Sequence, residues 1–275
     1  MRVSKQLRKL VLFLLAIVLT LANIAPLVWT FLSGFKTRLE IFTVNPPVWI
    51  PATLNLRNFD AIFEKRLPNL ENSIMVTLGS TAGVLLIAVP AAFALAVFSF
   101  KRRQNLELWI LSTRMMPPVA AAIPLYLGIK EIGLYDTRWG LILIYVGFNL
   151  PFAIWMGSTF FRQIPKEIIE AALVDGCSWP RVLVRIAVPL AAGGLSTVAI
   201  FTALFCWNEL MLAIFLTSSH ARTFTVVLTE FVGQTNIVWE LMAAGATIQI
   251  IPIIILTFLT QRYIVAGLTM GAVKQ

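Results

Sequence analysis

A chain of 275 residues that is 59 % apolar and 13 % charged, with a mean hydropathy of +0.85, falls well short of the about 25 % charged residues of a soluble domain, so composition alone makes it a membrane protein. The formal net charge of +9 does not mark a nucleic-acid binder, because the basic residues are scattered between apolar runs rather than gathered on one face. Cys177 is expected in a loop and Cys206 in a span, which argues against a disulfide, and with one histidine, His220, no dedicated zinc site is expected.

Met1 to Lys9 carries Arg2, Lys5, Arg8 and Lys9 without an acid, and Leu10 to Phe35 is free of charge. This predicts a retained first span over about 10–35 that begins on the inner side. Residues 36–71 form the longest hydrophilic segment. Asn45-Pro46-Pro47, Trp49-Ile50-Pro51 and Asn55-Leu56-Arg57-Asn58-Phe59 mark it as turns with amphipathic pieces at the outer surface. Span two is predicted over 73–100, where Ser73 to Phe100 gives 28 uncharged residues. That is roughly 42 Å of helix against a bilayer core of about 30 Å, so tilt, a kink at Pro90 or extension past the lipid must absorb the excess. Lys101-Arg102-Arg103 follow as an inner anchor.

Span three, about 106–128, contains Arg114, Met115-Met116-Pro117-Pro118 and Pro124. A short outer loop at 130–138 leads to span four over 139–161, broken at Asn149-Leu150-Pro151. A charged loop at 162–188 follows. Span five covers about 189–216 with Glu209 inside it, an outer loop runs over 218–238, span six covers about 241–261, and Arg262 to Gln275 is an inner tail. Inner segments hold 13 basic residues against 8 in outer ones, with Arg114 left in a span, a bias of the expected sense. The predicted fold is all-α: one polytopic domain over 1–275 with six transmembrane helices and both termini cytoplasmic. No internal repeat supports an inverted-repeat transporter. The chain has no P-loop, no Gly-x-Ser-x-Gly elbow and no His-Glu-x-x-His helix, which argues against catalysis and against ATP binding by this chain.

Polar residues inside spans are candidates for the transport path. Arg114 sits near the inner third of span three and reads first as an anchor snorkelling to the headgroups. Its alternative is a polar lining of the path beside the Pro117-Pro118 break. Asn149 either satisfies a carbonyl released by Pro151 or faces substrate. Trp207 could stack on a sugar face while Asn208 and Glu209 bond hydroxyls, or all three could fix helix packing. Gln249 in span six is similar. Gly79-x3-Gly83 is read as close helix packing.

The densest signals lie in the loop at 162–188. From Ile164 the sequence reads IPKEIIEAALVDGCSWPRVLVRIAVP. Pro165 suits a first helical turn, and Glu167 and Glu170 favour the N-terminal end of the dipole. Ile164, Ile168, Ala171, Ala172 and Leu173 are expected on one side, and Asp175-Gly176 is a stop signal. Ser178 can cap a second helix with Pro180 in its first turn. A helix of roughly ten residues is too short to stand alone in water, so it must rest on lipid headgroups or insert into a groove on a soluble partner.

Glu170-Ala171-Ala172, three residues to Gly176, nine more to Ile186 and then Pro189 resemble the EAA loop of binding-protein-dependent ABC importer permeases, with Val188 where that family usually has Leu. The resemblance implies a coupling helix that docks on an ATPase subunit, with Lys166, Glu167, Glu170, Ala171, Ala172, Asp175 and Gly176 as the coupling residues. Gly133-Leu134-Tyr135-Asp136-Thr137 with Gly140-Leu141, Pro151 and Trp155 is similar to the carbohydrate-uptake branch. So are Phe160-Phe161-Arg162-Gln163-Ile164-Pro165, Trp207-Asn208-Glu209, and an ending of Gln261-Arg262-Tyr263 with Gly267 to Lys274. The likeness is nearest to the second permease of maltose-type importers.

That family implies a heterodimer with a second permease, two ATPase subunits that bind ATP and Mg, a periplasmic sugar-binding protein and a place in the bacterial inner membrane among its lipids. It implies no cofactor in this chain and no nucleic acid. The inner tail would reach between the ATPases, and the 218–238 loop would touch the sugar site of the binding protein. The expected function is inward movement of a sugar, polyol or sugar derivative by alternating access. Two alternatives stand beside it: a polytopic enzyme acting on lipid-linked sugars through Glu209 or Asp175, and an ABC permease for a non-sugar solute.

Overall fold

The structure, a computed structural model, describes residues 2–43, 46–233 and 237–270. Asn45, residues 234–236 of the predicted 218–238 loop and Gly271 to Gln275 of the predicted tail lie outside the described residues. The described chain is all-α. Its elements are α1 (Arg2–Gly34), α2 (Arg38–Phe42), α3 (Arg57–Val97), α4 (Arg103–Thr113), α5 (Pro118–Glu131), α6 (Arg138–Phe161) and α7 (Lys166–Val174). They continue as α8 (Trp179–Val182), a π-helical turn (Leu183–Ala187), α9 (Val188–Leu190), α10 (Ala192–Trp207), α11 (Met211–Leu216), α12 (Phe224–Glu230) and α13 (Trp239–Met270).

Four of these helices are long and apolar enough to cross a membrane: α1 through Leu7–Gly34, α3, α6, and α13 through Trp239–Phe258. Spans three and five are not single helices. Each is built from a pair bent by 83°, α4 with α5 and Trp179–Leu190 with α10, which gives up to six spans. The first bend has a local cause. Pro118 opens α5 while Pro117 sits at its N-cap with ψ 129, and a proline pushes the residue before it out of the helical region. Near the second bend Val188 N–H bonds Leu183 O in a π turn, one residue before Pro189, which has no N–H to give and would press on the carbonyl four residues back. Span five has a further break after Trp207, where Asn208 leaves the helix with φ −93 and ψ 2.

Two other boundaries move. The second span belongs to a helix that starts at Arg57 rather than Ser73, so most of the segment expected as outer turns beyond residue 56 is helical. At 41 residues, α3 is roughly 60 Å long, twice a bilayer core. The last helix runs past Gln261 to Met270, so the predicted inner tail begins as a continuation of span six.

The described chain forms two compact units, Met1–Leu67 with Leu228–Ile251, and Pro68–Val227 with Pro252–Gln275. In the first, the turn after α1 is tied down around a buried Lys36. Its Nζ donates to Val48 O at 2.7 Å and lies 3.7 Å from the Trp29 ring centre, and Trp49 packs edge-on to Trp29. Asn58 Nδ2 donates to Gly34 O and Lys36 O at 2.9 and 3.0 Å. The α2 turn closes by a capping box between Thr37 and Glu40. Donation from Thr37 N–H and Ala52 N–H lowers the Glu40 pKa from its usual value. In the second unit, α3, α5, α6, α10 and α11 share apolar clusters around Tyr145, around Val84 with Val198, and around Phe93 with Phe161.

Candidate functional site

The α7 segment is nine residues framed by sequence-encoded stops. Pro165 is its N-cap residue. At the other end Cys177 N–H bonds Ala172 O and Gly176 N–H bonds Leu173 O, both at 3.0 Å, with Gly176 at φ +82. This is the Schellman ending, which needs a left-handed residue where glycine carries no penalty. Ser178 takes the N-cap position of α8, but its side chain makes no capping bond there.

The buried face of α7 differs from the expected one. Ile164, Ile169 and Ala172 are buried and join Ala92, Phe93, Phe161, Val182 and Leu195 in one apolar cluster, with Leu173 and Cys177 packed against it. Ile168 is 41 % exposed, Val174 is 87 % exposed, and Ala171 faces outward with Lys166, Glu167 and Glu170. The run Ile168-Ile169 and Ala171-Ala172 therefore splits across two sides. One side is fixed to the ends of α3 and α6, where Phe93 meets Phe161 edge-on at 5.6 Å and Trp179 meets Phe98 at 4.6 Å. The other side is uncovered. Beside it, Arg162 and Arg103 converge on Glu107.

A second group of polar residues meets in the helical bundle. Arg114, at the end of α4, does not snorkel. It turns to α6, where Nη1 donates to Phe148 O at 2.6 Å and to Asn149 Oδ1 at 3.0 Å, and it lies 4.8 Å from the Phe205 ring centre. Asn149 donates to Tyr145 O at 2.8 Å and reaches Cys206 Sγ at 3.5 Å. It thus leaves alone the Gly147 carbonyl that Pro151 deprives of a helical donor; Arg114 binds the neighbouring carbonyl instead. Tyr145 OH donates to Glu209 Oε2 at 3.0 Å. Glu209, one residue before the Leu210 N-cap, also accepts two first-turn N–H groups of α11, Leu212 N–H at 3.0 Å and Ala213 N–H at 3.1 Å. An acid at a helix N-terminus satisfies donors that have no partner within the helix, which is why a carboxylate is tolerated at this depth.

Trp207 is 6 % exposed and walls a cavity of about 170 Å³ lined otherwise by aliphatic side chains, Thr77 and Pro252. Asn208 is exposed, with Nδ2 on Leu204 O at 2.9 Å. Gln249 is buried in the other unit. The structure therefore gathers Arg114, Asn149 and Glu209 through Tyr145, a residue that periodicity in an aromatic-rich span did not single out.

A third polar cluster forms around Asp136. Asp136, in left-handed backbone at φ 55, accepts from the backbone N–H groups of Ser218, Ser219, His220 and Ala221 at 2.9–3.0 Å and from Ser219 Oγ at 3.2 Å. Its own N–H bonds Leu216 O at 3.1 Å. Burial works against this carboxylate, but the four backbone donors outweigh it and hold its pKa well below the usual carboxylate range. The stabilisation is therefore complete above the unfolded value of 3.8 and lost only as pH falls through the lower folded value. Asn72 supports the same loop, donating to His220 O and Arg222 O and accepting from Arg138 Nε.

Residues 85–270, which include all three clusters apart from Asn72, match the family described as the binding-protein-dependent transport system inner membrane component. The chain belongs to that family. It is 36 % identical over 273 residues to a probable ABC transporter permease of Sinorhizobium fredii, with 98 % of both chains covered. It is 39 % identical to the trehalose transport system permease SugB of Mycobacterium tuberculosis, covering 90 % of this chain and 92 % of that one. A bacterial ABC transporter involved in import of the acidic polysaccharide alginate shares the fold at TM-score 0.79 and 22 % identity, covering 94 % of this chain and 97 % of the other. This permease is accordingly a multi-pass protein of the bacterial inner membrane and a transport component rather than an enzyme, which sets aside the lipid-linked-sugar reading of Glu209 and Asp175.

Proposed function

We propose that this permease pairs with a second permease on two ATPase subunits and moves a sugar, polyol or sugar derivative inward from a periplasmic binding protein. Relatives named for trehalose transport, sulfoquinovosyl glycerol transport and diacetylchitobiose uptake, at 39 %, 33 % and 32 % identity over 90 % or more of this chain, support a sugar-class solute. ATP and Mg belong to the partner ATPases.

The observation that carries the coupling role is the division of α7 into a buried and an uncovered face. Ile169 and Ala172 fix the helix to the ends of α3 and α6, and close-packed interiors transmit displacement rather than absorb it. Ile168, Ala171 and Val174, edged by Lys166, Glu167 and Glu170, are left for a partner. In this reading α7 lies on the cytoplasmic side, as the distribution of basic residues favours. Closure of the ATPases moves it as a lever, and the difference in docking energy between the two ATPase states drives the spans from inward- to outward-facing. Asp175 and Gly176 set the end of the lever. Arg114, Asn149, Asn208 and Gln249 are assigned to the path, whereas Trp207 and Glu209 hold the α10–α11 turn that shapes it.

The test is purification from the native membrane in mild detergent, followed by reconstitution and uptake of a panel of sugars, polyols and amino acids. A nucleotide-binding subunit and a second permease should co-purify, with vanadate-sensitive ATP hydrolysis and uptake confined to the sugars and polyols. Gly176→Asp should leave insertion intact but separate hydrolysis from uptake. A chain recovered alone under several gentle conditions, or normal uptake by that variant, contradicts the reading.

A further inference from the structure

The six-residue helix α11 is held by a carboxylate at each end. At its start Glu209 accepts Leu212 N–H and Ala213 N–H and, on the same oxygen as the latter, the Tyr145 hydroxyl. Just past its end Asp136 gathers four successive N–H groups from Ser218 to Ala221. Between these ends Leu212, Ala213 and Leu216 are almost fully buried, at 1 % exposure or less, in the cluster that contains Ile129, Leu141 and Tyr145.

A helix of this length has no stability of its own, so these fixings decide whether it behaves as a rigid body. The 217–223 loop is bound as firmly as the helix. Thr217 Oγ1 donates back to Ala213 O at 2.6 Å, Phe224 N–H donates to Ser73 Oγ at 2.8 Å, and Asn69 Nδ2 donates to Arg222 O at 3.0 Å. The tips of that loop, Ser218 to His220, are nonetheless exposed. At the opposite end, the chain of contacts runs from Glu209 through Tyr145 and Asn149 to Arg114.

We infer that Asp136 and Tyr145 are positioning residues which make α11 a strut, so that a force on the exposed 218–220 tip reaches the Arg114–Asn149 cluster inside the membrane. The inference rests on the importer reading above. It adds that the signal of a docked binding protein enters the bundle through α11. Asp136 is suited to the task because a carboxylate offers only acceptors to a nest of donors. An amide in its place would set an NH₂ against N–H groups and leave part of the nest empty. Tyr145→Phe cuts the other end of the strut while keeping the ring in its apolar cluster.

The experiment uses the complete transporter, with partner permease, ATPases and liganded binding protein, reconstituted in nanodiscs. ATP hydrolysis is measured with and without the binding protein for the wild type, Asp136→Asn, Tyr145→Phe and the double variant. Hydrolysis without binding protein should stay within about twofold of wild type, whereas stimulation by the binding protein should fall about fivefold or more in each single variant, the lower end of a site-to-site coupling. The double variant should lose no more than the worse single one, because both cut the same strut. Undiminished stimulation in Tyr145→Phe overturns the inference even if Asp136→Asn fails to assemble, and so do losses that multiply in the double variant. A wild-type complex that does not respond to any binding protein would instead count against the importer reading itself.

Discussion

Two neighbouring glycines, Gly193 and Gly194, show how sharply a single position is constrained where Trp179–Leu190 turns into α10. A Cβ at Gly194 would lie 2.2 Å from Phe160 Cγ, inside the ring of a side chain on α6, while a Cβ at Gly193 meets nothing within 4 Å. Gly194→Ala should therefore destabilise the assembled protein by about 1–3 kcal/mol through overpacking. Gly193→Ala should be neutral or stabilise by up to about 1 kcal/mol, since alanine is the better helix former and the space is open. Thermal unfolding of the two variants in the same detergent, followed by loss of the monodisperse peak, checks the contrast. Equal midpoints would mean that α10 and α6 do not approach as closely as Phe160 and Gly194 indicate. Gly140 carries a similar constraint, with Leu134 O 2.3 Å from its would-be Cβ, and it accounts for a glycine at the third position after the Thr137 cap of α6.

At the scale of one element, α7 offers a pair of adjacent isoleucines with opposite duties. Ile169 is 5 % exposed in the cluster with Phe93 and Phe161, and Ile168 is 41 % exposed. Ile169→Ala should cost about 2–5 kcal/mol of stability by opening a cavity. Ile168→Ala should leave the isolated permease as stable as before but reduce recovery of the ATPase in pull-downs. If Ile168→Ala destabilises the permease and spares ATPase recovery, the faces have been assigned the wrong way round. The start and stop of α7 were legible in the sequence, because Pro165 and Gly176 act through their own backbones. Its facing was not. Ile168-Ile169 and Ala171-Ala172 put apolar groups on both sides, and a periodicity argument cannot separate a face meant for the bundle from one meant for a partner. The bend before α5 was foreshadowed by Pro117-Pro118. The break after Trp207 was not, since Glu209 reads as an isolated intramembrane acid until α11 is seen to begin beneath it. The first four turns of α3 were hidden by Arg57, Asp60, Glu64, Lys65 and Arg66, charges that suggested a loop although they decorate a helix whose Ile62 is 2 % exposed. The Asp136 cluster could not be found by pattern at all, because its partners are backbone groups some eighty residues away.

At the scale of the whole molecule, the long apolar helices need a bilayer, and α1 needs it most. No residue of its most apolar window is buried within the chain, so lipid or another subunit of the transporter must cover it. Which side of that bilayer α7 occupies is a question that the two native cysteines can answer. Cys177 follows the Gly176 turn directly and is half-buried, whereas Cys206 is 3 % exposed beside Asn149. The proposed topology, which the distribution of basic residues favours, has the loop around Cys177 on the inner face. A membrane-impermeant maleimide should therefore label the chain in inside-out vesicles and spare it in intact spheroplasts. Cys177→Ser should abolish the labelling, and Cys206→Ser should leave it unchanged, because a thiol buried in a span is out of the reagent's reach. Labelling of Cys177 in intact spheroplasts would put α7 on the periplasmic side, where no ATPase can reach it. The lever role would then fail together with the six-span order that places α7 inside. Protection from outside with labelling from inside leaves α7 where the energy of ATP is available.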